Sequence, residues 1–151
     1  MREIKQIMAL AVLAVSVYTD IRERNIYILP LAVTSAGAVA VSLADFVFTP
    51  CGQGVHILIW DILFPAVTGL AFILITRIRV LCMGEGDGYL LACLALLLGA
   101  ASDLATFAAA SFFAGLYSAF LLVTKRGAGQ TLIPFAPFVL AGFIFTVFYG
   151  L

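Results

Sequence analysis

The chain has 151 residues, of which 64% are hydrophobic and 11% charged, with a mean hydropathy of +1.19 and no net charge at neutral pH. Soluble domains use about 45 to 50% apolar residues, so this composition excludes an ordinary water-soluble fold and points to a membrane protein. A balanced charge offers nucleic acid no electrostatic footprint, and no nucleic-acid partner is expected.

At about 20 residues per crossing, the length holds six helices with short connections and no separate soluble domain. The expected fold is an all-α membrane protein, a six-transmembrane-helix bundle forming a single polytopic domain over residues 1–151. The first apolar stretch covers residues 4–19 and ends at Tyr18-Thr19-Asp20-Ile21-Arg22-Glu23. Its basic start (Arg2, Lys5) and the small residues Ala14-Val15-Ser16 imitate a signal peptide, but cleavage there would remove the segment that positions Asp20. The second span, 28–48, is rich in small residues such as Ala32, Ser35, Gly37 and Ala40, which let helices approach closely in lipid.

A turn-rich break at residues 49–54 precedes the third span, 55–76. Trp60 and Asp61 near its start suit the headgroup boundary, and His56 reads as another boundary residue with no metal-ligand pattern around it. Arg77-Ile78-Arg79 closes this span, and a glycine-rich loop, Gly84-Glu85-Gly86-Asp87, opens the fourth, 88–101. Ser102-Asp103 reads as a short turn before a fifth span, 104–124. A basic loop from Lys125 leads to the sixth, 134–151, which begins Pro134-Phe135-Ala136-Pro137-Phe138; proline is tolerated in a first helical turn because its missing N–H would have had no partner. The cysteines, Cys51, Cys82 and Cys93, are odd in number and widely spaced, without the pairing of a zinc or redox motif. No metal and no cofactor is expected.

Lysine and arginine set the orientation. Arg22, Arg24, Arg77, Arg79, Lys125 and Arg126 follow spans one, three and five, while Arg2 and Lys5 alone lie on the other side. Positive loops stay cytoplasmic, so both termini are expected outside. Asp20 at the end of span one and Asp87 at the start of span four then share the cytoplasmic level. Both spans are short, about 21 to 24 Å against a hydrocarbon core of about 30 Å, which would draw both acids below the surface. An ionisable group there costs a few kcal/mol and is a functional candidate by default. Two carboxylates sharing a site cannot both ionise cheaply, so one keeps a proton while the other stays charged. Such a pair can take a proton from an attacking water and donate one to a peptide carbonyl and leaving nitrogen. Gly84, Gly86 and Gly88 would let a substrate chain come close to the backbone.

These residues resemble the type IV prepilin leader peptidases, aspartic membrane proteases of the Gly-x-Gly-Asp kind. Asp20-Ile21-Arg22 is similar to the family's Asp-x-Arg element, Gly84-Glu85-Gly86-Asp87 to its second acidic element, and Ile133-Pro134-Phe135-Ala136-Pro137-Phe138 with Gly142 to its carboxyl-terminal Pro-Phe-x-Pro-Phe segment. The resemblance implies that Asp20 and Asp87 are catalytic, with Arg22, Gly84, Glu85, Gly86, Gly88, Pro134 and Pro137 shaping the site or binding substrate. It also implies a pilin-like precursor as substrate, with a short basic leader and a hydrophobic helix cut at their cytoplasmic junction, in contact with membrane lipid. Glu85 or Glu23 is expected to meet leader Lys or Arg. Two positions depart from the family: Gly88 stands where many members carry Lys, and Ile26-Tyr27-Ile28 where many carry Ile-Pro-Asn. A Lys beside Asp87 would help hold its charge. Larger members also carry an amino-terminal domain with CxxC pairs and an N-methyltransferase activity; this chain is expected to be a minimal peptidase without it, like the small enzymes of tight-adherence pili or archaeal preflagellin processing. Two other readings fit the same residues, a presenilin-like protease cutting within substrate spans and a non-enzymatic scaffold or proton-linked transporter subunit.

Overall fold

The computed structural model describes residues 2–23, 25–49, 54–78, 84–124 and 134–150, all helical apart from short connections. Arg24, Arg79, Lys125, Arg126, Ile133, Cys51 and Cys82 lie outside the described residues. Six continuous helical segments follow one another: α1 (Arg2–Glu23), α2 (Ile28–Phe48), α3 (Gly54–Arg77), α4 (Glu85–Leu98), α5 (Ala100–Val123) and α6 (Ala136–Tyr149). Among the described residues, α1, α2, α3 and α5 are long and apolar enough to cross a membrane; α4 and α6 have 14 residues each.

The short helix α4 is the centre of the bundle, packing against α1, α2, α3 and α5. Its Leu90, Leu91, Cys93, Leu94, Ala95 and Leu97 are all buried. A helix apolar on every side finds neighbours on every side, and α4 is the helix that has them. The longer helices bury one stripe and expose the rest, with Phe112, Leu116 and Phe120 of α5 and Val33 and Leu43 of α2 facing outward. In water such a surface would aggregate; against lipid tails it needs no partner.

Two sequence-based expectations shift. The first helix does not end at Thr19 but runs on to Glu23, 22 residues in all or about 33 Å, so Asp20 sits inside its last turns and span one is not short. The turn between the fourth and fifth helices is not at Ser102-Asp103 but at Gly99, whose φ of +86° and ψ of 156° suit glycine alone. Ser102 and Asp103 belong to the first turn of α5, and Asp103 is buried.

Proline also shapes α3. Pro65 cannot donate to the carbonyl one turn back and its ring crowds that carbonyl; the helix responds by widening to π geometry over Leu58–Leu63, where the Phe64 N–H bonds to the Ile59 carbonyl. At the α5–α6 crossing, a Cβ on Gly142 would lie 2.5 Å from the Thr106 carbonyl oxygen and 2.9 Å from the Ala110 nitrogen. Only glycine permits that approach, which brings the buried hydroxyls of Thr106 and Thr146 to 3.0 Å across the two helices.

Candidate functional site

Asp20 is 9% exposed and accepts a hydrogen bond from the Ala136 backbone N–H at 3.0 Å. Ala136 is the first residue of α6, and the first amides of a helix have no partner within it. The helix end is also positively polarised. The segment Pro134-Phe135-Ala136-Pro137 therefore aims a helix terminus at Asp20: Pro137 lacks an N–H, while Ala136, fully buried, supplies one. Pro134 and Pro137 are half-buried in this cradle.

Asp87 lies in the first turn of α4, ahead of its apolar run and outside the four membrane-length helices. Its Oδ2 accepts from the Gly84 N–H at 3.2 Å while its own N–H donates to the Gly84 carbonyl at 3.1 Å. This is the acidic half of a capping box, a carboxylate three residues into a helix reaching back to the cap. The two carboxylates, from helices far apart in the chain, share one end of the bundle and feel each other electrostatically.

The packing around Gly88 explains why no larger residue follows Asp87. It is buried, and a Cβ placed on it would collide with the side chain of Thr76 in α3. The Thr76 hydroxyl is 2% exposed as a residue and donates within 3.0 Å of both the Phe72 and Ile73 carbonyls, so it has no room to yield. A lysine following Asp87 has no space in this packing. Gly86 is held similarly, with Ile26 2.9 Å from where its Cβ would be; Ile26, in the connection that departs from Ile-Pro-Asn, is a buried contact for the acidic loop.

The remaining expected site residues are peripheral. Arg22 is exposed and donates to the Tyr18 hydroxyl, with its guanidinium 5.8 Å from that ring's centre; it is occupied on the outside of α1 rather than beside the acids. Glu85 and Gly84 are exposed at the mouth of α4. Glu23 already accepts from the Tyr27 hydroxyl, which leaves Glu85 as the freer carboxylate. Among the described residues, no three His, Cys, Asp or Glu side chains gather to hold a metal ion.

Sequence reasoning did not anticipate the Ala136 amide, because a backbone donor has no residue signature, nor Thr76, which matters only through the glycine opposite it. Asp103 was also missed. Both its carboxylate oxygens are buried without a hydrogen-bond partner among the described residues, and the only cue, an acid three residues before the buried Thr106, was masked by reading Ser102-Asp103 as a turn. No protein-family model, no curated protein and no solved structure matches the chain.

Proposed function

We propose that the chain is an aspartic endopeptidase of the prepilin peptidase kind, with Asp20 and Asp87 as its catalytic pair. The observation that carries this reading is that Asp87, in the first turn of α4, lies close enough to Asp20 to feel its charge, with Asp20 itself fixed by the amide at the start of α6. Two carboxyls at one site can divide one proton between them, one charged and one protonated. The charged member takes a proton from a water attacking the peptide carbonyl; the protonated member donates to the carbonyl oxygen and then to the leaving nitrogen. The pair titrates jointly, so the proton belongs to the dyad. No metal or cofactor enters this chemistry.

The substrate is a pilin-like precursor whose basic leader meets the exposed Glu85 and whose hydrophobic helix stays in lipid. All six helices cross the bilayer in this reading. At about 21 Å, α4 is shorter than the hydrocarbon core, so its start sinks below the surface and carries Asp87 with it. Arg22 and Arg77 near the ends of α1 and α3 support a cytoplasmic position for this end of the bundle. Co-expression with a pilin-like precursor and mass mapping of the cut tests the assignment. Removal of the leader at its junction with the apolar helix is the expected result; a cut within the apolar helix points to a presenilin-like protease instead, and an intact precursor refutes the peptidase reading.

A further inference from the structure

The end of the bundle away from the two acids carries a second set of charges that peptide hydrolysis does not use. Lys5 of α1 is 8% exposed, and its ammonium donates at 2.8 Å to the hydroxyl of Ser42 on α2. An ammonium has three donors, and a lysine is rarely this buried without compensating charge. Beside it opens a cavity of about 380 Å³ lined by Lys5, Asp45 of α2, Asp61 of α3 and the last turn of α4 with Gly99. Three helices thus bring one cation and two carboxylates to one space.

Leu98 and Gly99 form the wall of this cavity and also of a second, of about 330 Å³, lined by Trp60, Phe64, Thr68, Ala101 and Leu104 among others. The second space is almost wholly apolar. The π-helical turn Leu58–Leu63 serves both, sending Asp61 to the charged cavity and Trp60 to the apolar groove; such turns recur at functional sites. Trp60 is stacked on Phe64 with ring centres 4.9 Å apart, an arrangement suited to the headgroup boundary.

We propose that the two spaces form one binding site for a phospholipid with a primary-amine headgroup, of the phosphatidylethanolamine type, with the headgroup in the charged cavity and an acyl chain in the groove. The charges are complementary. Lys5 meets the phosphate, and Asp45 and Asp61 accept from the headgroup ammonium through charge-assisted hydrogen bonds. An uncharged glycerol headgroup would set its phosphate against two carboxylates with Lys5 alone to offset three negative charges. A choline headgroup has no N–H to donate. Glu3, bordering an adjoining cavity that shares Leu97 and Leu98, adds to the negative side. This inference does not depend on the peptidase reading.

Native mass spectrometry of the full chain in detergent tests it, with ethanolamine, choline and glycerol phospholipids of identical acyl chains added at equal concentration. Retention of the ethanolamine lipid about tenfold above the other two is expected, the worth of one charge-assisted hydrogen bond. The preference should disappear in the Asp45→Asn/Asp61→Asn double variant, and water-soluble glycerophosphoethanolamine should compete poorly. Equal retention of all three lipids by the wild-type chain, preference for the glycerol lipid, or an undiminished ethanolamine preference in the double variant overturns the proposal. Should the double variant not fold, the headgroup series on the wild-type protein decides alone.

Discussion

Gly88 and Thr76 form a steric pair whose energetics can be worked from the structure. Gly88→Ala places a methyl group against the Thr76 hydroxyl and its γ-methyl, and the hydroxyl is held by two carbonyls at 3.0 Å. Overpacking of this kind costs about 1–3 kcal/mol. Against it stands a helix-propensity gain of about 1 kcal/mol for alanine over glycine within α4. The single variant should therefore lose up to about 2 kcal/mol. Thr76→Ala removes the γ atoms, leaving its Cβ 3.1 Å from the new methyl, a contact that a few tenths of an ångström of adjustment relieves. In that background Gly88→Ala should be neutral or stabilising, a coupling of about 1–3 kcal/mol. Thermal unfolding in detergent, followed by Trp60 fluorescence for the four proteins of the cycle, measures it, with about 2–4 °C expected per kcal/mol for a chain of this size. Additive effects of the two substitutions would refute the reasoning. Gly88→Lys, which installs the residue many prepilin peptidases carry, should lose stability and processing together.

A dyad that shares one proton needs one charged and one protonated member, so precursor cleavage should trace a bell-shaped pH profile; a rate independent of pH would argue against the shared proton. Asp103→Leu replaces a buried carboxyl whose oxygens have no hydrogen-bond partner among the described residues with an apolar group of the same shape, so its Tm should rise, with about 1–3 kcal/mol at stake; a fall would show that the carboxyl is satisfied in the membrane-embedded protein. Glu85→Gln should slow cleavage of precursors with basic leaders severalfold and leave neutral leaders unaffected, as read from initial rates on the two substrates, and equal slowing of both would remove Glu85 from leader recognition.

The membrane character was legible because the chain is apolar and charge is sparse; Asp20 and Asp87 stand out against the apolar runs, and they lie at one end of the bundle. Helix boundaries were less legible where two signals competed. Ser102-Asp103 looks like a turn by composition, yet the break falls at Gly99, since a single glycine with positive φ suffices to reverse the chain and polar residues can be buried in the first turn of a helix. In the first span, the polarity of Asp20 and Arg22 suggests a helix end, yet the helix carries both onward to Glu23, because side chains at a helix terminus can point to the boundary without breaking the backbone. What the sequence could not disclose was pairing in space: the Ala136 amide on Asp20, Thr76 against Gly88, and Lys5 with Ser42 each join residues from different helices.

The central claim is that Asp20 and Asp87 act on one scissile bond. Its most direct test is single-turnover cleavage of a purified pilin-like precursor by wild-type protein, Asp20→Asn and Asp87→Asn, each checked for insertion and for an unchanged helical signal. Leader release by the wild type, with a loss of at least about 10³-fold in both variants, is the predicted result. Wild-type cleavage that persists at a comparable rate in either variant would contradict the account.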